Sequence, residues 1–170
     1  MRKFIELCKN GNIIEIKDYI SKNSNIENYE FEKGWMYACN NGNLVLAKWL
    51  LEINPLINIS VDINSVFYYA CISGNLEIAK WLISINPNID ISYDNEFVFC
   101  SVCENGQLDV AKWLLEIKPD IDITICNEYP FFSAIENMRL NVVEWFTTLN
   151  KKYIVEMNNN KIISFSIDNS

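Results

Sequence analysis

Six cysteines are the residues of this 170-residue sequence best suited to metal or redox chemistry. Cys100 and Cys103 form a Cys-x-x-Cys pair, a spacing used by zinc and dithiol sites, and Cys126 follows downstream. No histidine is present to complete a mixed ligand set. Four of the cysteines recur at one position of a sequence repeat, so neighbours lie about 10 Å apart, beyond the ~7 Å Cα separation that a disulfide allows. We therefore predict buried, apolar thiols without metal or cofactor at Cys8, Cys39, Cys71 and Cys103.

Catalytic chemistry has few candidates in this sequence. The absence of histidine excludes Ser-His-Asp and Cys-His nucleophiles and removes the usual acid–base group near neutral pH. No pair of carboxylates recurs in a hydrolase-like pattern, and the five glycines form no phosphate-binding loop. The sequence thus predicts a protein that is not an enzyme.

The charge balance limits the classes of partner. Fourteen basic and 22 acidic residues give a net charge of −8, which disfavours nucleic acid and anionic membrane surfaces. No apolar run reaches the roughly 18 residues of a membrane span, and Glu6 interrupts any signal-peptide core. We expect a soluble, intracellular chain.

An internal repeat of 32 residues dominates the sequence. Cys39-Asn40-Asn41-Gly42-Asn43-Leu44 recurs at residues 71–76 and 103–108, and each copy is followed by an Ala-Lys-Trp-Leu segment and a proline. Glycine favours a left-handed helix end, Asn43 and Asn75 are good N-caps, and the apolar residues that follow have helical spacing. Each unit is therefore a pair of helices whose apolar stripe needs a neighbouring unit to cover it. The predicted segments are an N-terminal capping repeat at 1–28, repeats at 29–59, 60–91 and 92–123, and a degenerate repeat at 124–150.

These features resemble the ankyrin repeat, most clearly in the Gly-Asn-Leu-Glu-Ile-Ala-Lys-Trp-Leu-Ile run at 74–83. The resemblance covers about residues 1–150 and implies an all-α, ankyrin-like solenoid. The family's Thr-Pro-Leu-His turn is largely replaced by apolar and aromatic residues, for which we expect a packing role, as in Phe97–Cys100 and Tyr129–Phe132. The spacing, with Trp49, Trp81 and Trp113 on the second helices, is similar to ankyrin proteins of giant DNA viruses of amoebae, which implies a viral protein acting in host cytoplasm.

Residues 151–170 depart from the repeat. Two segments rich in β-branched and aromatic residues flank Asn158-Asn159-Asn160, which predicts a β-hairpin. A hairpin cap over the last repeat is one interpretation, and pairing of its free edge with another chain is the alternative. We expect a monomer.

The ankyrin resemblance implies a protein-binding concave face made of loop tips and first helices. Four loops are predicted, at 29–33, 60–64, 92–96 and 124–128, and their acids suggest a partner with a basic surface. Tyr37, Tyr69 and Tyr93 are the expected anchors. The full predicted set is Glu30, Glu32, Tyr37, Asn40, Asn41, Asp62, Asn64, Tyr69, Ile72, Ser73, Tyr93, Asp94, Glu96, Ser101, Glu104 and Asn105.

Two functions remain open. The first is a non-enzymatic module that binds a protein partner on this face. The alternative is a substrate-recruiting adaptor for a host ubiquitin ligase, a role that viral ankyrin proteins perform through a C-terminal F-box. Residues 151–170 are too few and too β-prone for such a helical domain, so an adaptor would need a second interaction surface.

Overall fold

The computed structural model describes residues 3–60, 62–159 and 161–168, with only the backbone at 93–95. These residues contain ten helices and two strands, and the chain divides into two compact units, Met1–Ile89 and Asp90–Ser170. Unit 1 contains α1 (Lys3–Asn10), α2 (Ile13–Lys22), α3 (Asn28–Asn40), α4 (Leu44–Ile53), α5 (Ile63–Ile72) and α6 (Leu76–Ile85). Unit 2 contains α7 (Tyr93–Glu104), α8 (Leu108–Ile117), α9 (Ile125–Glu136), α10 (Leu140–Leu149), β1 (Tyr153–Asn158) and β2 (Lys161–Ile167).

Helix pairs stack side by side within unit 1. Helix α3 contacts α1 of the preceding pair, its own partner α4, and α5 of the next pair. A Cβ atom at Gly34 would lie 2.8 Å from Cys8 Sγ, so glycine is required where α3 crosses α1. The core contains Trp35 and Phe67 from the first helices and Leu46 and Leu82 from the second, all at most 1% exposed. The helical stripes predicted from the repeat are therefore buried between neighbouring pairs.

The turns within each pair follow the sequence pattern. Gly42 has a φ of +78°, and Asn43 begins α4 by accepting a hydrogen bond from the Leu46 amide at 3.0 Å. Asn43 Nδ2 also donates to the Gly11 carbonyl of the preceding pair at 3.3 Å, and Asn75 Nδ2, at the equivalent position, donates to the Asn40 carbonyl at 3.2 Å. This sequence position therefore joins neighbouring repeats in both cases, and only Asn43 of the two also caps its helix through the side chain.

Unit 2 repeats this packing with irregular helix starts. Helix α7 contacts α9 and α8, with Phe99 and Phe131 completely buried. Three consecutive residues of α9, Cys126, Asn127 and Glu128, have φ values of 51°, 58° and 65°, so the regular helix begins after them. At the turn before α10, Met138 takes the place of the repeat glycine and has a φ of 55°.

The predicted hairpin is confirmed. Strands β1 and β2 are antiparallel, with Tyr153 opposite Ile167 and Glu156 opposite Ser164, and the register shifts after Glu156. Strand β1 contacts α10, and Tyr153 is only 2% exposed. Its ring centroid lies 4.4 Å from that of Phe131 and 5.4 Å from that of Phe146. The hairpin thus covers the apolar side of the last helix pair, as a cap would, while β2 stays largely exposed.

The positions predicted as loops are mostly helical. Residues 29–33 lie in α3, 63 and 64 in α5, and 93–96 in α7, while 125–128 form the irregular start of α9. The connections instead span the residues between α4 and α5, α6 and α7, and α8 and α9, beginning with Asn54, Asn86 and Lys118 as C-caps. Sequence reasoning placed the loops too late because it did not anticipate the extra N-terminal helical turn.

Candidate protein-binding surface

Five of the six cysteines are part of the packed core. Cys8, Cys39, Cys71, Cys100 and Cys103 are free and buried, and only Cys126 is exposed. Burial raises the pKa of Cys8 to about 12 and that of Cys100 to about 11, and it raises the pKa of Cys103 further. These thiols therefore stay protonated and weakly nucleophilic. Among the described residues, no group of three or more His, Cys, Asp or Glu side chains is placed to hold a metal ion.

The tryptophans bridge neighbouring helix pairs. Lys17 Nζ of α2 lies 5.4 Å from the ring centroid of Trp49, and Lys48 Nζ of α4 lies 5.9 Å from that of Trp81. In unit 2 the rings of Phe99 and Trp145 are 6.5 Å apart. Cation–π contacts of this kind hold the tryptophan faces against the preceding repeat, so the rings are not an open stacking platform.

Two predicted acids of unit 1 stabilise their own helix pair. Glu30 is 5% exposed and accepts a hydrogen bond from the Glu27 amide at 3.1 Å in a capping box. Glu32 Oε1 accepts from Asn28 Nδ2 at 2.9 Å and from the Asn58 amide at 3.3 Å. The prediction that Glu30 lies on an exposed edge is wrong, because helix capping uses its carboxylate.

The remaining predicted residues of unit 1 divide between exposed and structural positions. Tyr69 is 48% exposed and stacks edge-on against Tyr68, with ring centroids 5.3 Å apart. Asn41 is exposed, but its Nδ2 donates to the Lys9 carbonyl at 2.9 Å, and Lys9 Nζ lies over Tyr37. Of the others, Asp62, Asn64 and Ser73 are exposed, whereas Asn40 and Ile72 are half-buried.

In unit 2 the predicted acids at helix starts are paired with lysines. Glu96 Oε1 accepts from Lys118 Nζ at 3.2 Å, and Glu128 Oε1 accepts from Lys152 Nζ at 2.6 Å. Glu128 also accepts from the hydroxyl of Tyr153. Glu96 thus connects the start of α7 to Lys118, just after α8. Glu128 connects the start of α9 to Lys152, just after α10. Four of the acids in the predicted loops, Glu30, Glu32, Glu96 and Glu128, are therefore engaged in contacts within the chain.

Four further residues of the predicted set belong to α7 or to the turn that follows it. Ser101 is 4% exposed, so its predicted place on an open face is wrong. Asn105 is exposed, and its Nδ2 donates to the Ser101 carbonyl at 2.8 Å. The side chains of Tyr93 and Asp94 lie outside the described part of the structure.

Aromatic and acidic side chains nevertheless meet on the first helices of unit 2. Phe97 and Tyr129 are 45% and 43% exposed, and they occupy equivalent positions, 32 residues apart, in α7 and α9. Glu104 and Glu136 follow each by seven residues, or two helical turns, and so lie on the same helix faces. We call Phe97, Glu104, Tyr129 and Glu136 the α7–α9 surface.

A hydrogen bond links the two helices within this surface. The Tyr129 hydroxyl donates to Glu104 Oε2 at 3.2 Å. Partial desolvation and the neighbouring Glu104 carboxylate raise the pKa of Tyr129, so the hydroxyl remains a donor at neutral pH. An exposed ring held beside a carboxylate suits a cationic side chain, which gains from both groups.

Sequence reasoning included Glu104 but missed Phe97 and Tyr129. It interpreted both aromatic residues as packing groups that replace the polar turn of the repeat. That interpretation is wrong for these two, although it holds for Phe99 and Phe131, which are completely buried. The available signal was the helical period, because Phe97 and Phe99 in one helix cannot face the same direction.

Comparison with known proteins agrees with this architecture. A sequence model of ankyrin repeats in three copies matches residues 4–95, more than half of the chain. The chain therefore belongs to the ankyrin repeat family, a non-enzymatic fold that serves as a protein–protein interaction module.

A solved structure shows the same fold over a longer range. The human ASB11 ankyrin repeat domain matches 88% of this chain and 70% of its own length, with a TM-score of 0.57 and 17% sequence identity. No curated protein matches the sequence significantly. No helix in the described residues is both long enough and apolar enough to cross a membrane.

Proposed function

We propose that this chain binds a protein partner with a basic surface, chiefly through the α7–α9 surface. The observation that carries the proposal is the hydrogen bond between Tyr129 and Glu104, which holds an exposed aromatic ring beside a carboxylate. Interface hot spots are enriched in aromatic residues, and arginine is the partner side chain that combines charge with a flat stacking surface.

Unit 1 carries exposed candidate contact residues of its own. Tyr69 offers a large amphipathic ring, and Asp62 an exposed carboxylate beside the start of the same helix. The residues equivalent to Tyr69 are Tyr37, Ser101 and Ser133, whereas the buried column is aromatic in every repeat: Trp35, Phe67, Phe99 and Phe131. Packing constrains the buried aromatic residues, whereas exposed residues such as Tyr69 and Asp62 are available for recognition.

An intracellular location fits the thiol chemistry. All six cysteines are free in the structure, although Cys100 and Cys103 lie in one helix and Cys126 is exposed. Unpaired cysteines are typical of reducing compartments. We therefore place the protein inside a cell. A viral origin and action in host cytoplasm rest on the repeat spacing alone, and the human structural match lends them no support.

Recruitment of substrates to a ubiquitin ligase is the alternative function. Residues 153–158 and 161–167 form strands rather than helices, so ligase binding would require a different surface. Affinity purification from cells separates the two functions, because ligase subunits among the captured proteins would favour the adaptor.

The binding site itself is tested with matched variants in the same purification. Tyr129→Ala should abolish capture of the partner, whereas Ile117→Ala, which removes an apolar residue of similar exposure (40%) from α8, should not. Circular dichroism serves to check that both variants fold. Equal capture by the two variants and the wild type would exclude the α7–α9 surface as the binding site.

A further inference from the structure

Two exposed apolar side chains lie at equivalent positions of neighbouring repeats in unit 1. Ile14, in the first turn of α2, is 79% exposed, and Val45, in the first turn of α4, is 69% exposed. The equivalent residues of the next three second helices are polar: Glu77, Asp109 and Asn141. A helix start favours acidic residues, and β-branched residues are weak helix formers, so helix stability does not explain Ile14 and Val45.

Helices α2 and α4 lie side by side, which brings these two residues close together. Asn43, which begins α4, donates through its Nδ2 to the carbonyl of Gly11, just before α2, at 3.3 Å. Further along, Lys17 Nζ of α2 lies 5.4 Å from the ring centroid of Trp49 in α4. Residues three apart share a face of a helix, so each apolar residue has a lysine beside it. We call this patch the α2–α4 surface, and it consists of Ile14, Lys17, Val45 and Lys48.

The two lysines of this surface have no carboxylate partner in the described part of the chain. Neither Lys17 nor Lys48 lies within ion-pair distance of a described acid, and each ammonium instead lies over a tryptophan ring of the next helix pair. The equivalent Lys80 of α6 differs, because it pairs with Glu77 at 3.7 Å. The positive charge of the α2–α4 surface is therefore available to a partner.

The acids of α2 and α4 are engaged or lie further along the helices. Asp18 pairs with Lys22 at 2.7 Å, and Glu15 Oε1 accepts a hydrogen bond from Asn12 Nδ2 at 2.9 Å. The first turn of α4 contains no acid, and Glu52 lies near the end of that helix. The side chains that face a partner at the start of α4 are thus apolar or basic.

The charge of the chain is divided unevenly between the two units. Unit 1 has eight basic and nine acidic residues, whereas unit 2 has six basic and 13 acidic residues. Most of the net charge of −8 therefore belongs to unit 2, which disfavours an acidic partner there. Unit 1 is almost neutral, so two unpaired lysines are enough to favour an acidic partner locally.

We propose that the α2–α4 surface binds an acidic protein segment that also carries apolar side chains. Lys17 and Lys48 attract the carboxylates of the segment, and Ile14 and Val45 contact its apolar side chains. Four residues make a small contact, so the complex is weak and reversible. The α2–α4 surface differs from the α7–α9 surface in the charge of its partner. It would therefore also serve as the second interaction surface that an adaptor requires.

Peptide selection on the full chain tests the proposal. The probe is a phage-displayed library of random segments of about 12 residues, roughly the length of one helix. The selected peptides should include a class that combines Asp or Glu with Leu, Ile or Phe. Synthetic peptides of this class should bind the wild type with micromolar dissociation constants that rise with added salt.

Paired variants locate the binding site of these peptides. Lys17→Glu with Lys48→Glu should raise the dissociation constant at least about tenfold, as should Ile14→Ser with Val45→Ser, which keeps both lysines. Lys80→Glu with Lys112→Glu is the matched control, since it makes the same charge change at the equivalent positions of α6 and α8. Its dissociation constant should change by less than about threefold, because exposed charges one repeat away are largely screened at physiological salt. Circular dichroism checks the fold of each pair.

Several results would overturn the proposal. They are a selection without acidic, apolar peptides, peptides that bind both α2–α4 variant pairs as tightly as the wild type, and equal losses in the control pair. Cosedimentation with vesicles of phosphatidylserine and phosphatidylcholine separates a lipid from a protein partner. Vesicle binding that requires Lys17 and Lys48, in the absence of any acidic peptide, would assign the surface to a membrane instead. Tyr129→Ala should leave peptide binding unchanged, so this test is independent of the α7–α9 surface.

Discussion

The side-chain oxygen of Asn75 lies directly over Gly42, one repeat earlier in the chain. A Cβ atom at Gly42 would lie 2.6 Å from Asn75 Oδ1, and the φ of Gly42 is +78°. The same asparagine donates to the Asn40 carbonyl at 3.2 Å. Glycine is therefore required here both by backbone conformation and by the close approach of a side chain that joins two repeats.

Gly42→Ala should lower the free energy of unfolding by about 2–3 kcal/mol, since it adds left-handed strain and a steric clash. Gly11→Ala is the control, because Gly11 has a similar φ of +77° but its nearest neighbour, Asn43 Nδ2, would be 3.0 Å away. In Gly11→Ala the free energy of unfolding should fall by only about 1 kcal/mol. Urea denaturation measures both values, and equal losses would show that the contact with Asn75 costs nothing.

Met138→Gly should stabilise the protein. Methionine has a φ of 55° at the position where other repeats have glycine, and its side chain is 64% exposed, so little packing is lost. Relief of the left-handed strain exceeds the added flexibility of the unfolded chain, for a net gain of about 0.5–1 kcal/mol.

Met138→Ala separates this backbone effect from loss of the thioether. It keeps the Cβ atom and therefore the strain, so its stability should not exceed that of the wild type. A rise in melting temperature for the alanine variant equal to that of the glycine variant would contradict the explanation.

Tyr153→Ala tests the hairpin as a cap. Its buried ring contacts Phe131 and Phe146, and its removal should cost about 3–5 kcal/mol and expose an apolar surface. Ile154→Ala, in the same strand but 48% exposed, should change stability by less than about 1 kcal/mol. If both variants unfold at the same urea concentration, packing of the hairpin through Tyr153 does not stabilise the last helix pair.

The sequence repeat predicts the packing of the helix pairs but not the polar contacts between them. The 32-residue period predicted the helix pairs, the left-handed glycines and the buried cysteines, because these depend on interactions that every repeat shares. It did not predict that Glu30 caps α3, or that Glu96 and Glu128 pair with Lys118 and Lys152. Those pairings join residues from different sequence segments, and a per-repeat alignment contains no signal for them.

Stability should fall steeply as the pH rises above about 9. The unfolded thiols ionise near pH 9, whereas burial raises the pKa of the folded thiols, to about 12 for Cys8 and about 11 for Cys100. Above pH 9 the unfolded state therefore binds fewer protons than the folded state, and each such thiol removes about 1.4 kcal/mol per pH unit until its folded pKa is reached.

Thermal melts from pH 7 to pH 10.5 measure this dependence. Cys71→Ala removes one buried thiol whose pKa is raised by burial, so its stability should decline less steeply than that of the wild type, from a lower starting value. Parallel declines for the two proteins would show that ionisation of this thiol does not contribute.

Once a partner has been captured, the acid and the aromatic ring of the α7–α9 surface should affect different steps of binding. Glu104→Gln keeps an acceptor for the Tyr129 hydroxyl but removes a negative charge, so association with a basic partner should slow and become less sensitive to salt. Tyr129→Ala removes the ring, and should raise the dissociation rate roughly tenfold or more with a smaller effect on association. Tyr129→Phe keeps the ring without its hydrogen bond, so its dissociation rate should lie between those of the wild type and Tyr129→Ala.

Surface plasmon resonance over a salt series resolves these effects on association and dissociation. Association that is independent of salt in the wild type, together with normal dissociation of Tyr129→Ala, would contradict both a basic partner and a role for this aromatic–acidic pair.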